Sequence, residues 1–152
     1  MKITMIGTGY VGLVTGLCFA EFGFDVTCVD RNPEIVERLK NGKVTIYEPG
    51  LEDYLQRNSK AGRVNFTTST ADAVKSAQII FIAVGTPTGA GDGEADLSYI
   101  FAAADDIADA MNDGAVIAIK STVAVGTSEL VRKRIALRRP GVTFQGWIPY
   151  EK

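Results

Sequence analysis

At 152 residues the chain is long enough for one domain with a substantial core, and 46% hydrophobic with 22% charged residues is an ordinary soluble globular composition. A net charge of −2 leaves no nucleic-acid footprint, and no apolar run reaches the ~18 residues of a membrane span. Histidine is absent, which rules out histidine-based metal sites and Ser-His-Asp hydrolysis and leaves proton transfer to carboxylates, lysines, hydroxyls or water.

Met1-Lys2 lead straight into an apolar strand without the pattern of a signal peptide, so a cytoplasmic location is expected. Residues 2–6 read as that strand, and Gly7-Thr8-Gly9-Tyr10-Val11-Gly12 follows at once. A helix over residues 10–22 carries Leu13, Val14, Leu17 and Cys18 on one side, and Gly23 stops it. A second strand, 25–29, ends at Asp30. Strand, glycine turn, helix, strand and acid within about 30 residues form a dinucleotide-binding βαβ unit. Gly7 permits the sharp turn off the strand. Gly9 lets a pyrophosphate approach the backbone, and Gly12 lets helix and strand pack closely. The helix N-terminus then offers free N–H groups to the phosphates. Asp30 is placed to accept hydrogen bonds from the adenine-ribose hydroxyls, which favours NAD over NADP. Arg31 points the other way, because an arginine there can hold a 2′-phosphate.

Asn32-Pro33 open a second helix, with Asn32 as cap and Ile35, Val36 and Leu39 as its apolar stripe, and Asn41-Gly42 close it. Residues 43–62 exceed a minimal βαβ repeat and read as a loop followed by a helix over 50–57. Such an insertion serves either a ligand or a plain surface connection. A strand at 64–67, a helix through Val74 capped by Ser69-Thr70 and an apolar strand at 78–84 come next. Gly85-Thr86-Pro87 close that strand and 88–94 is a glycine-rich loop. A helix over 97–111 with Asp96 as cap, a strand at 115–120, a helix over 127–137 and a sixth strand at 142–145 complete the chain. This alternation predicts an α/β fold, a doubly wound, mostly parallel Rossmann-type sheet in a three-layer α/β/α arrangement with strand order 3-2-1-4-5-6. Cys18 and Cys28 read as small core residues, without a disulfide. Arg132-Lys133-Arg134 and Arg138-Arg139 read as a solvated helix end.

Several segments go beyond a generic dinucleotide fold. The opening through Gly7-Thr8-Gly9-Tyr10-Val11-Gly12-Leu13 resembles the N-terminus of the UDP-glucose/GDP-mannose dehydrogenase family. So do Tyr47-Glu48-Pro49-Gly50-Leu51, Val84-Gly85-Thr86-Pro87, Ala95-Asp96-Leu97-Ser98-Tyr99 and Lys120-Ser121-Thr122-Val123, all in the family's order. The Gly85-Thr86-Pro87 form with Asp96-Leu97 is most similar to the branch that acts on UDP-glucose. The resemblance implies a cytoplasmic oxidoreductase of nucleotide-sugar metabolism that takes a UDP-sugar, oxidises its C6 alcohol to a carboxylate and reduces two NAD⁺. It implies that Thr86 contacts NAD and that Thr122 helps hold a catalytic water as well as lining the cofactor site. Tyr10, Val11, Val84 and Gly85 join the expected cofactor wall, and Glu48 lies in the substrate vicinity. Each threonine hydroxyl also suits a turn or helix cap, and Glu48 also suits a loop charge.

The chain departs from the family at Ile35, where a lysine is frequent, and at Ala124, where a proline is common. Its last residues, Gly146-Trp147-Ile148-Pro149-Tyr150, stand where the family continues into an Asn-Pro-Glu-Phe-Leu segment. The expectation is therefore a single truncated NAD-binding domain without the family's central and C-terminal substrate and catalytic regions. Those regions carry its nucleophilic cysteine. Such a chain binds NAD without turnover and leaves Trp147 and Ile148 as an apolar patch. The family is dimeric or higher; the fragment's own association stays open. Two other readings also stand. One is an NAD-dependent dehydrogenase of 3-hydroxyacid type; the other is a non-enzymatic nucleotide-binding module.

Overall fold

The computed structural model describes residues 1–87 and 95–147. The glycine-rich loop read at 88–94 and the final segment 148–152, with the side chain of Trp147, lie outside the described residues. The elements run β1 (Lys2–Ile6), α1 (Tyr10–Glu21), β2 (Asp25–Val29), α2 (Pro33–Lys40), α3 (Leu51–Lys60), β3 (Val64–Thr67), α4 (Thr70–Val74), β4 (Ile79–Ile82), α5 (Ser98–Ala110), β5 (Ala115–Ile119), α6 (Thr127–Arg138) and β6 (Phe144–Trp147).

The six strands are parallel and ordered β3-β2-β1-β4-β5-β6, as the alternation of elements predicts. Side chains alternate across this sheet and divide the core in two. Ile3 and Met5 of β1, Val26 and Cys28 of β2, and Val64 and Phe66 of β3 face α1 and α3. Ile6 of β1, Ile80 and Ile82 of β4, and Ile117 and Ile119 of β5 pack with Val74 of α4, Ile100 and Ile107 of α5, and Val131 and Ile135 of α6. The chain changes face at the β3–α4–β4 crossover. Thr4, buried on the second face, satisfies its hydroxyl by donating to the Ala73 carbonyl at 2.7 Å.

Local signals explain the starts of α2 and α4. The Asn32 side chain accepts from the Glu34 N–H at 2.9 Å with Pro33 at the first helical position, and Ser69 accepts from the Asp72 N–H at 3.2 Å. The structure corrects several boundaries. β4 is Ile79–Ile82 rather than 78–84, although Gln78 and Ala83 still donate to the Lys2 and Ile6 carbonyls of β1 at 2.9 and 2.8 Å. α3 extends to Lys60, and β6 starts two residues later than read, at Phe144. α5 starts at Ser98 with Leu97 at the cap position. Asp96 still serves the helix end by accepting from the Ser98 N–H at 2.9 Å. On α1 the buried stripe is Gly12, Leu13, Gly16, Leu17 and Ala20: Leu13 and Leu17 are buried as read, whereas Val14 and Cys18 are only half-buried and smaller residues take their place. A Cβ on Gly16 would stand 2.9 Å from the Cys28 sulfur, so the helix lies almost directly on β2.

The basic cluster at the end of α6 is not simply solvated. Arg134 grips Asp105 of α5 at 2.7 and 2.8 Å, and Arg138 grips Asp109 at 2.6 and 2.7 Å. These two-pronged contacts hold both carboxyls below their usual range and fix α5 against α6.

Candidate functional site

β1 and β4 are neighbours, yet the chain leaves them toward opposite faces of the sheet. A crevice must open beyond their carboxyl ends, where open α/β sheets bind ligands. The structure places a cavity of about 220 Å³ there, walled by the ends of three strands. Ile6–Gly9 follow β1, Val29–Arg31 follow β2 and Ala83–Gly85 follow β4. Thr70 of α4 and Tyr99, Ala103 and Asp106 of α5 complete the wall. The volume is below the ~300–1,000 Å³ of a closed ligand pocket, so a dinucleotide would fill it with one part and lie along the open turn with the rest.

The glycine turn is built by sterics. Gly7 has φ +100°, and a Cβ on it would meet the Ala83 carbonyl oxygen at 2.6 Å. A Cβ on Gly12 would stand 2.0 Å from the Gly7 carbonyl oxygen. Gly9 differs: a Cβ there meets nothing within 4 Å and would point into open space at the N-terminus of α1. That vacant approach beside free helix N–H groups fits a pyrophosphate.

Asp30 lies across from this turn. One carboxylate oxygen accepts from the Thr8 N–H at 3.2 Å and from the Thr8 hydroxyl, and the other accepts from the Asn32 N–H at 2.9 Å. A carboxylate has about four acceptor sites, so with three in use one remains for a ribose hydroxyl. Asp30 is thus oriented before any ligand arrives. Arg31, read as a possible grip for a 2′-phosphate, instead donates to Asp106 of α5 at 3.1 Å.

The other sequence-read residues fall into two groups outside the cavity wall. Tyr10 and Val11, both exposed, start α1, and the Tyr10 hydroxyl donates to the Glu48 carboxylate. The insertion loop is thereby tied to the glycine turn, and this hydrogen bond holds the Tyr10 phenol above its ordinary range. The Thr86 hydroxyl donates to the Thr122 carbonyl at 3.2 Å, which joins the ends of β4 and β5. Ser121 supports the same junction by donating to the Val84 carbonyl at 2.7 Å. Cys28 is fully buried and its thiol is pushed up to about 12, so it is inert at neutral pH. Among the described residues no group of acidic or sulfur side chains forms a metal site, and no helix is long and apolar enough to cross a membrane.

Sequence reading missed Thr8, Thr70, Tyr99 and Asp106. Thr8 carried a usable signal, since it sits inside the glycine fingerprint. Asp106 carried none, because only the fold brings α5 to the end of β2.

Comparison with known proteins agrees with this geometry. The model of the UDP-glucose/GDP-mannose dehydrogenase family, NAD binding domain, matches residues 1–145. UDP-glucose 6-dehydrogenase of Rhizobium meliloti is 51% identical over 140 residues, covering 92% of this chain and 32% of the relative. The Pseudomonas aeruginosa UDP-glucose 6-dehydrogenase is 48% identical over 137 residues, covering 90% and 30%. The solved UDP-glucose dehydrogenase of Pyrobaculum islandicum superposes with a TM-score of 0.91 at 42% identity, over 97% of this chain and 35% of that one. A ternary complex of GDP-mannose dehydrogenase from Pseudomonas aeruginosa gives 0.92 at 34% identity, over 97% and 35%. The chain spans about a third of the length of these relatives. With the glycine turn, the acid after β2 and the crevice at the switch of the sheet, the chain belongs to the UDP-glucose/GDP-mannose dehydrogenase family and corresponds to its NAD binding domain.

Proposed function

We propose that NAD lies across the crevice with its pyrophosphate over Gly7–Gly9 and its adenine ribose on Asp30. On this reading the chain is the cofactor half of a UDP-glucose 6-dehydrogenase. The observation that carries the assignment is the contrast within one turn. Gly7 and Gly12 are forced by backbone contact, whereas Gly9 is left open toward the crevice. NAD supplies hydride acceptance when bound. The residues of this chain bind and orient: the Thr8 and Asn32 donors fix the Asp30 carboxylate, and the N-terminus of α1 faces the phosphates. Tyr10 and Glu48 tie the insertion loop to the start of α1. Thr86 and Thr122 hold the ends of β4 and β5 together beside the opening, where Thr122 is available to position a water in the whole enzyme.

Oxidation of UDP-glucose requires a nucleophile and substrate groups held against the nicotinamide. Neither Cys18 on α1 nor buried Cys28 on β2 stands at the crevice. The chain by itself therefore binds NAD and does not turn over UDP-glucose. Calorimetry with NAD⁺, NADH, NADP⁺ and NADPH is the test, followed by NADH absorbance in the presence of UDP-glucose. Preference for the unphosphorylated pair, weakened by about 1–3 kcal/mol in Asp30→Ala, supports the assignment. Equal or tighter NADP⁺ binding overturns it. Sustained turnover that survives Cys18→Ser and Cys28→Ser overturns the division of labour.

A further inference from the structure

Arg31 poses a chemical problem. It follows Asp30 directly and lines the same crevice, which is the location and residue type that grips a ribose 2′-phosphate. A free guanidinium there would work against the selectivity that Asp30 provides. The structure shows where it goes. Its terminal nitrogen donates to Asp106 of α5 at 3.1 Å, across the crevice from one strand end to the neighbouring helix.

Asp106 is set apart on its helix. Asp105 and Asp109 are each gripped from behind by an α6 arginine through two hydrogen bonds. Those contacts fix α5 while Asp106 forms part of the crevice wall. We propose that Asp106 is a specificity-determining residue: it occupies Arg31, so the guanidinium is not free to take a 2′-phosphate and the crevice accepts a dinucleotide that ends in a free 2′-hydroxyl. The proposal rests on the assignment of a dinucleotide to this crevice.

The physical balance favours selectivity over tight closure. The two side chains are 61% and 44% exposed, and a single-contact pair at that exposure is weak and exchanges readily. A weak pair does not lock the crevice against its ligand. It still places a negative partner on Arg31, and an incoming 2′-phosphate must compete with that partner for the guanidinium. A ribose hydroxyl meets no such competition.

The test is the ratio of dissociation constants for NADPH and NADH, measured by calorimetry on the 152-residue chain as wild type, Asp106→Asn, Arg31→Ala and the double variant. Partial unfolding scales both constants alike, so the ratio reads selectivity and not stability. Asp106→Asn should lower the ratio by about two- to fivefold, the scale of one partly exposed charge contact. The double variant should lose that gain, because the freed arginine is then missing. An unchanged ratio in Asp106→Asn, with NADH still bound, overturns the proposal and leaves the dinucleotide assignment intact. A lowered ratio that persists in the double variant also overturns it, since charge removal alone would then account for the change. Failure of the wild type to bind either nucleotide overturns the underlying assignment, and the proposal with it.

Discussion

The crevice is flanked by two strand-to-helix connections built on different principles. The β1–α1 turn is short and locked. The Gly7 N–H donates to the Val29 carbonyl at 2.8 Å, Thr8 is held by Asp30, and Gly7 and Gly12 touch so closely that no side chain fits at either. The β4–α5 connection is long, and its first residues are fastened from outside by Ser121 and by the Thr86 contact to Thr122. Among the described residues nothing lies within 4 Å of where a Cβ on Gly85 would go, and its backbone is not left-handed. The first connection is shaped by the fold and presents backbone N–H groups at a fixed position. In the second, the glycine is not needed by the fold, so its smallness is available to a ligand. This contrast separates glycines that hold the protein together from glycines that leave room for something else.

The largest effect should come from Gly12→Ala. Its Cβ would sit 2.0 Å from a backbone oxygen that cannot swing away, so α1 must lift off β1. Urea unfolding should show a loss of about 3 kcal/mol or more, at or beyond the upper end of overpacking costs. A stability close to wild type would mean that the turn is not locked. Gly9→Val should give the opposite division of effects. The position is exposed, its φ of −67° suits any residue, and a Cβ there meets nothing within 4 Å among the described residues. The domain should fold with a change within about 1 kcal/mol, the scale of a helix-cap substitution, and calorimetry should find nucleotide binding nearly abolished. Normal affinity in that folded variant would place the cofactor elsewhere.

These two glycines also show how much was legible in the sequence. The spacing of Gly7, Gly9, Gly12 and Asp30 reveals the βαβ unit, and alternation of elements reveals the strand order, because both depend on local periodicity and crossover rules. The capping signals at Asn32 and Ser69 are local too, and they place the starts of α2 and α4. What sequence could not reveal is contact between distant elements. Nothing near Arg31 points to Asp106, 75 positions away, and nothing near Tyr10 points to Glu48. Arg134 and Arg138 of α6 read as solvated for the same reason, since their acids lie on α5. Gly16 was overlooked because small residues carry no periodic signal, although its contact with Cys28 sets the distance between α1 and β2.

That close approach makes the first unit sensitive to alkali. The Cys28 thiol lies fully buried beneath α1, and burial moves it from its ordinary value near 9 up to about 12. The unfolded chain therefore loses this proton at lower pH than the folded one. The associated stability is fully present below about pH 9 and declines as pH rises toward 12, by about 1.4 kcal/mol per unit. Urea unfolding of the wild type and Cys28→Ala at pH 8.5 and 10, on the order of one unit into that window, isolates the effect. All other groups are common to the two proteins and cancel. The wild type should lose more stability than the variant, and equal losses would show that the thiol is not shielded.

The smallest effect should come from Gly85→Ala, and its sign is what matters. A Cβ at Gly85 meets nothing within 4 Å among the described residues, and the backbone there lies outside the left-handed region. Alanine restricts the unfolded chain without straining the folded one, so stability should rise by about 0.4–1 kcal/mol. Gly85 also lines the crevice, so the added methyl group takes space from the ligand and affinity for NAD should fall even as the domain becomes more stable. Thermal unfolding and calorimetry on the same preparation separate the two effects. A gain in stability with weaker binding makes Gly85 a glycine kept for the cofactor, like Gly9 in the first turn. A loss of stability would instead show that the second connection is as tightly built as the first, and the contrast between the two sides of the crevice would fail.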